Sequence, residues 1–189
     1  MQVKRLKEIS KISLGYSFRV KIEHKNNGNM LVVSAKDIKD NFIISNSDHL
    51  TKISHPIYED RLVKKDDILL SNRGYFKAGV FSLEKNTIAA SSVYILRIKK
   101  DVVLPEYLVI WINSKKGQNE INKNTTGTMI KTILKSELEN IKIEIPIMEK
   151  QEKIIELNKI KIELKDKLKK KEQIFENIFQ GTLSKTINK

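Results

Sequence analysis

Two kinds of hydrophobic spacing meet at Pro146. Before it, Ile141, Ile143 and Ile145 alternate with Lys142 and Glu144, the period of a half-buried strand. Proline has no N–H to give a ladder, so Pro146 ends that strand. After it, Ile154, Leu157, Leu164, Leu168, Phe175 and Ile178 follow a spacing of three and four, the seam of a long amphipathic helix. About 30 residues rising 1.5 Å each make a rod of about 45 Å, longer than a domain of this size can cover. The pattern predicts a compact domain over residues 1–145 and a long helix over 146–189. Ile160 and Ile174 widen the apolar stripe, while Lys161 and Lys171 interrupt the seam. The stripe can pack on its own domain or on a helix of another chain, and its length favours the second. Lysines in a seam fit a specified register or an antiparallel pair better than a continuous parallel zipper.

Along the chain, Val3, Leu6, Ile9 and Ile12 recur every three residues and predict a short opening helix that ends at Leu14-Gly15. Residues 19–29 are polar and close on Asn26-Asn27-Gly28, a turn signal. Short strands are predicted over 30–34, 42–45, 68–70 and 78–81. The run 93–98, β-branched and aromatic, is the strongest strand of the chain. Pro105 stands where a helix over 106–113 begins, a position that tolerates proline. Residues 115–124 read as partly helical, 125–128 as a hydroxyl-rich turn, and 141–145 as the last strand. The fold class is α+β: one mixed globular domain of short strands and helices, then a long C-terminal helix forming a coiled coil.

The chain has 189 residues, 40% hydrophobic and 31% charged, enough to bury a core. No apolar run is long enough for a transmembrane helix, and the N-terminus has no apolar segment of signal-peptide type. Cysteine is absent, which excludes disulfides and thiolate metal sites and points to the cytoplasm. The net charge is +13; residues 146–189 hold 11 Lys against 7 Asp plus Glu, or +4, leaving +9 on residues 1–145. That excess means either a lysine-rich solvated surface or a polyanionic partner, most often nucleic acid. No segment pairs a basic face with exposed Trp or Phe, so a membrane partner is not expected.

Catalytic patterns are missing. His24, His49 and His55 have no metal-ligand spacing and read as loop histidines. There is no phosphate-binding glycine loop and no nucleophile elbow. The acid pairs Glu59-Asp60 and Asp66-Asp67 read as solvated turns. The chain is expected not to be an enzyme, and no metal or cofactor of its own is expected. Three polar connections are candidates instead. The first holds Arg19, Lys21, Lys25, Asn26 and Asn27. The second holds Asn72, Arg73, Tyr75 and Lys77. The third holds Lys123, Asn124, Thr125, Thr126, Thr128 and Lys131. Arg, Asn, Ser and Thr reach base edges in the major groove, and Lys and Thr suit phosphates. Each connection alone is also an ordinary surface loop; together, on a +9 domain, they point to DNA.

An ordered series of stretches resembles the specificity (S) subunits of Type I restriction–modification systems. Residues 6–18 (LKEISKISLGYSF) resemble the opening of a target recognition domain. Residues 66–74 (DDILLSNRG) resemble its Gly-Asp-Ile-Leu…Gly strand and turn, with Asp66 in place of the usual glycine. Pro105, Tyr107 and Leu108 match a Pro-x-Tyr-Leu helix. Gly127, Leu138, Ile143, Pro146, Gln151 and Ile154 match the junction into the conserved helix, and Phe179 and Gly181 its Phe-x-Gly close.

The resemblance implies a non-catalytic subunit. In the family, two recognition domains each read half of a bipartite DNA site. Two long helices pair antiparallel, set the spacing and dock methyltransferase (M) subunits. The M subunits bind S-adenosylmethionine and methylate adenine at N6, and restriction (R) subunits can join. This chain carries one recognition domain and one helix. A homodimer through Ile154, Leu157, Leu164, Leu168, Phe175 and Ile178 would restore the two-domain arrangement and read inverted half-sites. Other classes stay open: a stand-alone DNA-binding regulator, an assembly module that reads no DNA, or a silent remnant of recombination.

Overall fold

The structure is a computed structural model that describes residues 1–18, 27–39, 41–43, 50–53, 57, 59–99 and 101–187. It divides into two units, Met1–Gln151 and Glu152–Lys189.

In chain order the first unit runs β1 (Gln2–Arg5), α1 (Leu6–Ile9), β2 (Ser10–Leu14), β3 (Met30–Val33), β4 (Ile38–Lys39), β5 (Asn41–Ile43), β6 (Leu50–Thr51), β7 (Leu62–Val63) and β8 (Ile68–Ser71). Then come β9 (Ala78–Val80), β10 (Thr87–Ala89), β11 (Val93–Ile98), α2 (Pro105–Asn113), α3 (Lys115–Lys123), β12 (Thr125–Thr126), β13 (Thr132–Ile133), α4 (Lys135–Asn140) and β14 (Lys142–Ile145). Helix α5 (Met148–Ile187) starts in this unit and forms the second. The class is α+β, as expected, and no helix among the described residues is long and apolar enough to cross a membrane.

Among the described residues one sheet has the order β2-β11-β8-β9-β5-β4 and another β6-β3-β10-β7. The first is antiparallel except for β5–β9, and the second except for β3–β10. Their facing side chains form one core: Leu31, Val33, Val63 and Ala89 from the second sheet meet Ile38, Leu69, Val93 and Ile95 from the first. Helix α2 packs against β9 and α3. All four residues of β8 are buried, so it is apolar on both faces and shows no alternation. Pro105 begins α2, where its missing N–H costs nothing.

The opening differs from its spacing. Only Leu6–Ile9 is helical; Gln2–Arg5 pairs antiparallel with β14, and Ser10–Leu14 pairs with β11. Val3 is exposed, so it never belonged to the buried set of Leu6, Ile9 and Ile12. Ladder pairing with segments distant in sequence overrode a weak local period.

The Asp66-Asp67 pair is also not a solvated turn. Asp66 has φ 69°, the left-handed region that glycine occupies most cheaply and Asp tolerates. Asp67 is buried. Its carboxylate accepts Arg97 Nε at 2.9 Å and Nη2 at 2.7 Å, and the Lys64 N–H at 2.8 Å. Arg97 Nη2 also donates to the Leu62 carbonyl at 3.1 Å. The β8–β11 register pairs Ile68 with Leu96, which brings Asp67 beside Arg97.

The strand–proline–helix junction is held by Gln151, which is buried. Its Oε1 accepts the Leu104 N–H at 2.9 Å, and its Nε2 donates to the carbonyls of Pro146 at 3.0 Å and Val102 at 3.3 Å. A carboxylate there could not donate to either carbonyl. This is a physical reason for glutamine in the first turn of α5.

In the second unit the helix continues without a break to Ile187; all 40 residues of α5 span about 60 Å. Leu157, Leu164, Leu168, Phe175 and Ile178 are each more than half exposed within the chain, and Ile154 is half-buried.

Candidate nucleic-acid interface

Two of the three polar connections lie side by side. The segment after β8 is closed at its base: the Ser71 N–H donates to the Lys77 carbonyl at 3.0 Å, and the Lys77 N–H donates to Ser71 Oγ at 2.9 Å. Ser71 Oγ donates in turn to the Tyr75 carbonyl. Phe76 is buried beneath, and Gln118 of α3 donates to its carbonyl at 2.7 Å. Residues 72–75 then join the β12–β13 hairpin. The Gly74 N–H donates to the Lys131 carbonyl at 2.9 Å, the Ile133 N–H to the Asn72 carbonyl at 3.1 Å, and Arg73 bridges Thr132.

Both turns use glycine for its backbone: Gly74 has φ 73° and Gly127 φ 97°. A Cβ on Gly127 would also lie 2.4 Å from the Ile130 carbonyl oxygen. The Tyr94 hydroxyl supports the hairpin from below, donating to the Ile133 carbonyl at 3.1 Å. Burial, with Glu139 nearby, pushes the Tyr94 pKa up, so the hydroxyl stays a donor throughout the neutral range.

The candidate side chains fare differently. Arg73 is exposed, and no hydrogen bond or ion pair from its guanidinium is seen among the described residues. Tyr75 is 87% exposed. Lys77 is half-buried. Lys123 pairs with Glu120 at 2.7 Å, and Lys131 Nζ donates to Asn122 at 3.3 Å. Exposed contacts of this kind contribute about 0–1 kcal/mol, so either lysine can turn to a phosphate at little cost. Thr125 Oγ1 donates to the Asn122 carbonyl at 2.8 Å and Thr126 Oγ1 to the Thr132 carbonyl at 3.4 Å, leaving both oxygens able to accept.

Asn72 is a correction. It is buried, and its Nδ2 donates to the Ser91 carbonyl at 2.8 Å, so it braces the loop and presents nothing outward. Of the first connection, Arg19, Lys21, Lys25 and Asn26 lie outside the described residues, as do His24, His49 and His55, and Asn27 is exposed. Among the described residues no three His, Cys, Asp or Glu side chains gather as a metal site would need.

Sequence reasoning missed the apolar tip of the hairpin. Met129 is 96% and Ile130 65% exposed, beside the cations. Two adjacent apolar residues inside a Thr/Lys-rich turn were the available signal.

This geometry can present Arg, Lys, Thr and an aromatic ring to one extended ligand from a rigid base.

Comparison with known proteins gives the arrangement a family. Over 179 residues the chain is 25% identical to the Type I restriction enzyme MjaIX specificity subunit of Methanocaldococcus jannaschii, covering 93% of this chain and 41% of that protein. Over 123 residues it is 28% identical to the EcoBI specificity subunit of Escherichia coli, covering 63% and 26%. The chain thus spans about two fifths or less of these relatives. The fold matches the HsdS subunit from Thermoanaerobacter tengcongensis with a TM-score of 0.62 at 21% identity, over 87% of this chain and 38% of that one. A chain from a structural study of complex assembly and conformational transition in the type I R-M system matches with a TM-score of 0.67 at 21% identity, over 87% and 39%. Residues 1–176 match the model of the Type I restriction modification DNA specificity domain, and with 176 of 189 residues inside that match the chain belongs to this family.

Proposed function

We propose that this chain is a non-catalytic DNA-reading subunit of a Type I restriction–modification complex. It recognises one half of a bipartite duplex site through the paired segments 72–77 and 123–132. The observation that carries this reading is the junction of those segments, which gathers Arg73, Tyr75, Lys123 and Lys131 on a domain with a net charge of +9. Two copies associate through the stripe of α5 and supply two recognition units and two helices. Methyltransferase subunits dock on that assembly and bring the S-adenosylmethionine site, and restriction subunits join the same complex. The setting is cytoplasmic, where the chromosome is.

Arg73 is assigned to base edges and Lys123 to phosphate. Replacing Arg73 with Ala is expected to cost about 1–3 kcal/mol on a duplex selected from a random pool, and much less on unselected duplex. Lys123→Ala should weaken both alike and lower the salt slope by about one. Fluorescence anisotropy on the two duplexes across a salt series checks this. Equal losses on both duplexes for Arg73→Ala would take it off the base-reading list, and absence of salt-dependent binding by the wild-type chain would remove the DNA-reading role.

A further inference from the structure

We infer that the hairpin tip, Met129 and Ile130, reads thymine: it takes up the C5-methyl groups that thymines present in the major groove. The inference rests on the DNA-reading function proposed above. Met129 and Ile130 place two large exposed apolar side chains next to each other at the tip, open to a ligand. The tip is shaped for projection, since Gly127 at φ 97°, with the Ile130 carbonyl where its Cβ would be, sets the turn that carries both side chains outward. The ladder contacts of Gly74 with Lys131 and of Arg73 with Thr132 bring the turn that carries Arg73 and Tyr75 against the hairpin just after Ile130.

That mixture decides the ligand class. The centre of a protein interface is depleted of charge, whereas here Lys131 directly follows the apolar pair and the turn that carries Arg73 joins the hairpin at Thr132. A partner that offers anions at its rim and apolar points within is duplex DNA. The apolar group that base edges carry in the major groove is the thymine methyl, and the minor groove has no counterpart.

The test uses the whole chain and a Met129→Ser/Ile130→Ser double variant. Both residues are exposed, so the thermal unfolding curve should not move. The probes are duplexes enriched from a random library by the wild-type chain, with each thymine replaced in turn by uracil, which lacks only the methyl. For the wild type, uracil at one or two positions is expected to weaken binding about four-fold, the effect of one buried methyl. The double variant should bind the thymine and uracil forms alike, as weakly as the wild type binds uracil, with an unchanged salt slope. Wild-type indifference to uracil at every position would overturn the inference, as would a uracil penalty that persists in the variant. A variant that loses co-purifying methyltransferase while keeping its DNA affinity would make the tip a protein contact instead. Failure of the wild type to bind any duplex in the salt series would overturn both the inference and the function beneath it.

Discussion

Lysine at both Leu164 and Leu168 is expected to convert a dimer of about 44 kDa, twice the 21.9 kDa chain, into a monomer at every accessible concentration. Within one chain these residues and their neighbours Leu157, Phe175 and Ile178 stand more than half exposed on a helix. Burying a leucine fully contributes about 1.5–3 kcal/mol, and a two-fold pair counts each site twice, so the double change removes about 6–12 kcal/mol. A micromolar dimer holds about 8 kcal/mol in all. New lysines in the seam add repulsion and desolvation, so association should weaken by at least about 1,000-fold. Sedimentation equilibrium reads the mass directly. The first unit is untouched by the change, so its unfolding should not shift. A wild-type chain that stays at 21.9 kDa at high concentration, or a variant that still dimerises, would remove α5 as the pairing surface.

The second large effect concerns Asp67 and Arg97. Removing one member of a buried ion pair costs about 3–5 kcal/mol, because the other is left without its partner. The two sides are unequal. The Asp67 side chain is 3% exposed and that of Arg97 35%. Arg97→Ala strands a buried carboxylate that keeps only the Lys64 N–H, and is expected near 5 kcal/mol by the same principle, at about the upper end. Asp67→Ala leaves a guanidinium that reaches water and still donates to Leu62, and is expected near the lower end, about 3 kcal/mol. Arg97→Lys keeps the charge and loses the two-pronged contact, so it should fall below both. At roughly 2–4 °C per kcal/mol for a domain of this size, calorimetry should place the three melting points in that order. An Asp67→Ala protein as stable as the wild type would mean that the pair contributes nothing to the β8–β11 edge.

Where local chemistry sufficed, the chain could be read directly. The β-branched run 93–98 is a strand because its side chains suit a pleated, buried surface, and Pro105 opens a helix because its missing N–H is not needed there. The alternation of Ile141, Ile143 and Ile145 before Pro146 marks a strand that leads into α5. Where the partner is remote, local spacing misled. The first four residues of β1 answer to β14, some 140 positions away, so a helical period at Val3 carried no weight. Asp67 looked solvated because its neighbours are polar, while its partner lies 30 residues on.

The interface divides in the same way. Residue types identified the segments around Arg73 and Thr126, since Arg, Lys and Thr in glycine turns are what a phosphate backbone and base edges accept. Their union did not show, because the Arg73–Thr132 bridge spans 59 positions without any shared periodicity. Nor did the inward turn of Asn72, which follows from a carbonyl at Ser91 that needed a donor. The exposure of Met129 and Ile130 depends on the tight turn at Gly127, which a reading of hydrophobicity alone takes for core.

The most direct test of the proposed role is a genome-wide map of N6-methyladenine in the host, with the gene intact and with it deleted. The account predicts that deletion abolishes methylation at one two-part motif whose halves are inverted copies, as two identical recognition units require. Loss at an asymmetric two-part motif would replace the homodimer with a pairing between this chain and a different one. An unchanged map would contradict the central claim that this chain directs a methyltransferase to its sites.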